Sequence, residues 1–171
     1  MRVIAGIHKG RRLKSPPKSA IVRPTTDRVK ETLFNILNNI VDYSESDFVD
    51  LFFGTGAIGI EFLSRGGKSA TFVDKDTKLV KENLELIQQT NDYEIIRNDA
   101  LKYILSQTGH FDVGFADPPY NFLKYDDLIE SAKSKISLFI IEHSSDIDLK
   151  GGYMSKDFGD TSMTFFNFKE D

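Results

Sequence analysis

Apolar positions along the chain follow two periods, and each change of period marks an element. Phe48 to Phe53 (FVDLFF) is apolar except for Asp50, which fits a strand buried on both faces of a parallel sheet. Gly54, Gly56 and Gly59 follow at once and lead into the helical run Ile60, Phe62, Leu63. Strand and helix then alternate. Strands are expected at 69–74 (SATFVD), 93–99 (YEIIRND), 111–117 (FDVGFAD) and 136–142 (ISLFIIE), and helices at 77–89, through Ile104, and at 124–133. Stretches 151–158 and 163–168 read as a closing hairpin turning at Gly159-Asp160. This order predicts a right-handed, doubly wound α/β sheet.

Upstream, residues 2–14 alternate apolar and polar around Lys9-Gly10 and read as a small hairpin. Ser15-Pro16-Pro17-Lys18 is a loop, because Pro-Pro cannot continue a ladder. Pro24-Thr25-Thr26-Asp27 is a helix start, and Val29, Leu33, Ile36, Leu37 and Ile40 place an amphipathic helix over 26–40. Tyr43 to Asp47 links it to the central unit. The one soft boundary divides an extension, 1–45, from a main domain, 46–171.

Charge sharpens that division. Residues 1–30 hold nine Lys or Arg against one acid, a net of +8; the other 141 residues hold 13 and 25, a net of −12. An acidic body with a basic arm suggests a polyanionic partner at the arm, the alternative being a solvated tail. The 171 residues suit one ordinary globular domain, with no apolar run near the ~20 residues that cross a bilayer. The start, MRVIAGIHKG, lacks the apolar core of a signal peptide, and there are no cysteines, so a cytoplasmic location is expected. His8, His110 and His143 show no ligand spacing and predict no metal; His8 is expected to be a surface residue. The Phe-rich end (Phe158, Phe165, Phe166, Phe168) is expected to be core, and Asp126-Asp127 a solvated helix start.

The candidate chemistry lies at strand ends. Asp50, Asp74, Asp99 and Asp117 each fall at or near the C-terminal end of a strand, the edge where open α/β sheets bind ligands. Glycines at 54, 56 and 59 satisfy G-x-G-x-x-G, a turn that lets a ligand approach bare backbone at a helix N-terminus. Asp74, twenty residues after Gly54, suits ribose hydroxyls. Asp99 suits an adenine amine, with Ala100 leaving room for the ring, and Asp50 with the turn faces the other end of the cofactor. Clustered acids would repel a dinucleotide and favour the cationic S-adenosylmethionine (AdoMet) over NAD.

Asp117-Pro118-Pro119-Tyr120 adds the acceptor side. The prolines stiffen the corner and remove two amide donors, so an aspartate and a backbone carbonyl can hold both hydrogens of an exocyclic amine while Tyr120 stacks on the base. This resembles the (Asp/Asn)-Pro-Pro-aromatic signature of methyltransferases acting on adenine N6 or guanine N2. RVIAGIHKGRRL at 2–13, RPTTDRVKETLFNIL at 23–37, DLFFGTGAIGIEFLSRG at 50–66 and GDTSMTFF at 159–166 extend the likeness along the chain. Together they resemble the bacterial 16S ribosomal RNA guanine-N2-methyltransferase family that modifies guanine 966.

The resemblance implies a Rossmann-like class I AdoMet-dependent methyltransferase, with seven mostly parallel strands and an antiparallel C-terminal hairpin. It implies AdoMet at Asp50, Gly54, Gly56, Asp74 and Asp99, with Phe52, Thr55, Gly59, Lys75 and Ala100 completing the set. A flipped guanine would lie at Asp117, Pro118, Pro119 and Tyr120. RNA would be gripped by Arg2, Lys9, Arg11, Arg12, Lys14, Arg23 and Arg28. The partner would be 16S rRNA or a small-subunit assembly intermediate, with no membrane, no metal, and a monomeric enzyme. Phe53 stands where the family usually has alanine and would tighten the cofactor pocket; the stretch from Tyr120 to Ile136 is short. Three alternatives remain: an adenine-N6 methyltransferase on DNA or RNA, an NAD-binding oxidoreductase, and a non-catalytic RNA-binding protein.

Overall fold

A computed structural model describes residues 1–17, 26–90 and 92–169. Seven strands, β1 (Asp47–Leu51), β2 (Ser69–Asp74), β3 (Asp92–Arg97), β4 (Phe111–Ala116), β5 (Ile136–Ser144), β6 (Met154–Asp157) and β7 (Thr161–Asn167), form one sheet in the order β3-β2-β1-β4-β5-β7-β6. The first five are parallel, and β7 runs antiparallel between β5 and β6. Five α-helices accompany them: α1 (Asp27–Leu37), α2 (Ala57–Ser64), α3 (Lys78–Leu86), α4 (Ala100–Ser106) and α5 (Tyr125–Ala132).

Side chains leave each strand to alternate faces, so the sheet carries two cores. One packs Phe48, Phe72, Phe115, Ile140 and Phe165 against α1, α2 and α3; the other packs Val49, Leu51, Val73, Phe139 and Phe166 against α4 and α5. Phe165 and Phe166 are fully buried, as the Phe-rich end predicts. Asp126 and Asp127 lie exposed in the first turn of α5, again as expected.

Several expected elements end early, each for a local reason. The first strand stops at Leu51, because Phe52 takes φ 56° and turns the chain. The third stops at Arg97, because the Asp99 side chain accepts the Lys102 N–H and caps α4. The second of the expected helices, 77–89, ends at Leu86, with Gln88 at φ 55°. The N-terminal hairpin is present but short: around the Arg2–Arg12 bridge, the Val3, Gly10 and Leu13 amides donate to the Arg11, Val3 and Met1 carbonyls at 2.9, 2.9 and 3.0 Å. Just past these rungs the Ile4 and Ala5 amides donate to the Glu61 carboxylate at 2.8 and 2.9 Å.

Glu61 of α2 gathers the extension onto the body. Besides those two amides it takes Lys30 Nζ of α1 at 3.2 Å and Arg65 Nε at 3.0 Å, and both Lys30 and Glu61 are wholly buried. Burial holds the Lys30 ammonium below its ordinary pKa against the pull of Glu61. Gly6 lies so close to α2 that an added Cβ would meet the Ser64 carbonyl oxygen at 1.7 Å, at φ +82°. His8, expected at the surface, is buried here and bonds Gln89 Oε1 at 2.8 Å. Val3 and Leu13 share a core with Phe48 and Phe62, so residues 1–17 are an integral wall rather than a loose tail.

Candidate active site

Strand order reverses between β1 and β4, and the chain leaves these two strands toward opposite faces. Their C-terminal ends therefore frame the crevice where doubly wound folds bind ligands. The fold delivers the glycine turn to one side of it and Asp117-Pro118-Pro119-Tyr120 to the other.

Phe52 opens the turn in the left-handed region, uncommon for a bulky residue. It is held there by its N–H on the Val73 carbonyl at 3.0 Å and by its ring, edge-on to Phe122 at 5.3 Å. Gly54 (φ +55°) has open space where a Cβ would stand, and Gly56 (φ +79°) begins α2 against Val80. Asp74 at the end of β2 receives the Gly54 N–H at 3.2 Å and the Lys75 N–H at 2.6 Å, so one carboxylate shapes the turn and faces the ligand space.

That space is a cleft of about 710 Å³. Phe52, Gly54, Thr55, Asp74, Lys75, Ala100, Asp117 and Pro119 border it, bringing together most of the residues expected from sequence. Asp74, Asp76, Glu82 and Asp117 on its border outnumber Lys75 and Lys78. Phe52, Leu79 and Ala100 offer apolar walls. Open glycine backbone, an acid at the ribose distance in sequence, and an acid-rich rim suit a cofactor with a cationic end. Phe53 reaches the cleft but directs its ring into the core, edge-on to Phe72 at 5.8 Å.

Two expected cofactor acids are engaged with the protein itself. The Asp99 carboxylate caps α4 and pairs with Lys75 Nζ at 3.0 Å, and the capping amide holds its pKa below the ordinary value. Asp50 is buried beneath the turn, its Oδ2 accepting the Gly59 N–H at 2.9 Å, and Oδ1 has no partner among the described residues. Burial, reinforced by the Asp74 charge, pushes its pKa up to about 8. The raised value means the folded state holds a proton that the unfolded chain has released, between the ordinary 3.8 and about 8. Its contribution to stability is thus full below pH 4 and lost as pH rises through 8. Asp50→Asn is expected to remove this slope, up to about 1.4 kcal/mol per pH unit, in urea unfolding of the two proteins from pH 4 to 8.

On the acceptor side, the Asp117 N–H bonds the Leu51 carbonyl at 3.3 Å, tying the corner to β1. The Pro119 carbonyl accepts the Phe122 N–H at 2.8 Å. Tyr120 is 61% exposed, with its ring available to a partner from solution. Beneath it lies a smaller pocket of about 120 Å³, lined by Asp117, Pro118, Pro119, Tyr120, Tyr125, Glu142 and His143 among others. The short segment after Tyr120 thus supplies a wall through Tyr125, whose hydroxyl burial pushes up to about 12. His143 Nδ1 lies 2.9 Å from the Ser144 carbonyl and Nε2 2.8 Å from Thr164 Oγ1, and burial lowers its pKa. With Nδ1 as the donor to that carbonyl, Nε2 accepts from the hydroxyl.

Arg2, Lys9, Arg11, Arg12, Lys14 and Arg28 are exposed, while Arg23 lies outside the described residues. Sequence reasoning missed Ser15, Pro16 and Pro17, which wall the large cleft. It also missed the residue that holds them there. Asn83, fully buried in α3, donates to the Lys14 and Thr55 carbonyls and accepts the Lys14 N–H at 2.7 Å. The available signal was an amide on an otherwise apolar helix face (Val80, Asn83, Leu84, Ile87). Among the described residues no three acids or histidines are grouped to hold a metal, and no helix is long and apolar enough to cross a membrane.

The cleft at the switch point, together with β7 inserted antiparallel beside β5, defines a Rossmann-like class I methyltransferase fold. The model of the family described as Conserved hypothetical protein 95 matches residues 1–166. The Bacillus subtilis protein YlbH, provisionally named an rRNA methyltransferase, is 37% identical over 161 residues, 87% of this chain and 85% of its own length. Ribosomal RNA small subunit methyltransferase D of Haemophilus influenzae is 39% identical over 128 residues, 71% of this chain and 65% of that protein. An Escherichia coli structure provisionally described as a methyltransferase superposes with a TM-score of 0.81 at 27% identity, covering 98% of this chain and 97% of the other. This chain belongs to that family, the family of the ribosomal RNA methyltransferases it resembles.

Proposed function

We propose that this chain methylates the exocyclic N2 of guanine 966 in 16S rRNA of the small subunit, using AdoMet, as a monomer in the cytoplasm. One observation carries the reading: Asp117 and Pro119 border both the large cleft and the small pocket, so donor and acceptor would meet across a shared wall. The glycine turn, Asp74 and Ala100 would hold AdoMet, with Asp50 bracing the turn from below. Bound there, AdoMet supplies an electrophilic methyl group.

The chain's own residues position the amine. The lone pair of an exocyclic amine is delocalised into the ring, which makes it a poor nucleophile. The Asp117 carboxylate and the Pro118 carbonyl would each accept one N–H, turning the lone pair toward the shared wall. Tyr120 would stack on the base. The Asp117 carboxylate is also placed to accept the surplus proton, so no stronger base is required.

Incubation with small-subunit RNA lacking the mark, followed by mass spectrometry of the nucleosides, is expected to yield N2-methylguanosine. N6-methyladenosine would transfer the assignment to the adenine alternative. The exposed basic groups of residues 1–30 would bind phosphates. Arg11→Glu with Arg12→Glu is expected to weaken RNA binding about 10- to 100-fold at moderate salt and to flatten its salt dependence, with AdoMet affinity unchanged in calorimetry.

A further inference from the structure

Glu142 lies on β5, outside the Asp117–Tyr120 corner, yet it lines the same small pocket. Its placement follows from register. Phe115 and Ile140 are Cα partners on neighbouring parallel strands, and both belong to the core on the α1–α2–α3 side. Two residues further along each chain come Asp117 and Glu142. A period of two returns Glu142 to that same face, and Asp117, one residue past the end of β4, lines the same pocket at the C-terminal edge of the sheet. Glu142 is only 6% exposed. An acid at that depth, beside the residue that would hold the target amine, would meet the part of the base next to that amine.

We propose that Glu142 is a specificity-determining residue that selects guanine by accepting its N1–H while Asp117 accepts from N2. The inference rests on the base-methylation reading above. Guanine presents two adjacent donors on its Watson–Crick edge, N1–H and the N2 amine, and two carboxylates side by side complement them. Adenine places an unprotonated ring nitrogen next to its amine. That lone pair would face the Glu142 carboxylate, acceptor against acceptor. Specificity then comes from repulsion of the wrong base as much as from attraction of the right one. The Asp-Pro-Pro-Tyr corner cannot do this alone, because it touches only the amine common to both bases.

The test crosses a protein change with a base change. Small-subunit RNA is assembled by splint ligation with either guanine or 2-aminopurine at the target position; 2-aminopurine keeps the C2 amine and lacks N1–H. For the guanine substrate, Glu142→Gln exchanges a charged acceptor for a neutral one and is expected to lower kcat/KM about 10-fold; for 2-aminopurine, whose N1 carries no proton, kcat/KM is expected to hold or rise. Equal losses on the two bases would assign Glu142 a structural role and overturn the proposal. Glu142→Asp, which keeps the charge and withdraws it by one methylene, serves the same comparison should Glu142→Gln fail to fold. Failure of the unaltered protein to methylate any guanine would instead overturn the underlying reading.

Discussion

Asp117→Ala is expected to lower kcat/KM for RNA methylation by about 10³-fold or more while AdoMet affinity falls by less than about tenfold. The asymmetry follows from geometry. Asp117 is one of many residues bordering the large cleft, where Asp74 and the glycine turn would do most of the holding, but on the acceptor side it would be the anion at the amine. Removing it leaves a base that can stack on Tyr120 with its amine lone pair still delocalised. Asp117→Asn keeps one acceptor oxygen and is expected to retain a substantial part of the activity. Single-turnover kinetics with saturating AdoMet separate the two effects. Full activity in Asp117→Ala would contradict the positioning role.

Glu61→Ala is expected to have the largest effect on stability, about 3–5 kcal/mol in urea unfolding at neutral pH. Against a typical total of about 5–15 kcal/mol this threatens the fold. The loss is large because four donors converge on one buried carboxylate: the Ile4 and Ala5 amides, Lys30 Nζ and Arg65 Nε. Alanine strands the fully buried Lys30 ammonium without its carboxylate partner. Replacing both partners, Glu61→Leu with Lys30→Met, removes the stranded charge and is expected to cost less than Glu61→Ala alone. The change should also reach the cofactor. Freed from α2, residues 1–13 no longer hold Ser15, Pro16 and Pro17 against the cleft, so AdoMet affinity should drop along with stability. A Glu61→Ala protein as stable as the parent would contradict the docking of the extension.

Most of the fold was legible because strand and helix periods alternate cleanly from Phe48 onward and glycine or acid residues punctuate them. The ends of elements were less so. Phe52 reads as strand by composition, yet the backbone turns there because Val73 and Phe122 hold it in a left-handed bend. Asp99 reads as a strand-end acid, yet capping α4 claims its carboxylate, a competition that local sequence does not decide. The four strand-end acids were visible as a set, but only Asp74 and Asp117 border the large cleft, while Asp50 and Asp99 are taken up by the Gly59 amide and the α4 cap.

What stayed hidden depends on contacts distant in sequence. The basic arm reads as a tail because its charges are exposed, while its attachment runs through Glu61 and Asn83, 56 or more residues away. Glu142 reads as the end of an apolar strand. Only the pairing of β4 with β5 brings it beside Asp117.

In this reading a methyl donor and a nucleobase amine would meet across the wall formed by Asp117 and Pro119. A crystal structure with S-adenosylhomocysteine is the sharpest check. The ligand is expected in the large cleft, with its ribose on Asp74, its adenine beside Leu79 and Ala100, and its sulfur facing Asp117. A cleft left empty at saturating ligand, or a sulfur turned away from the Asp117–Tyr120 corner, would contradict it.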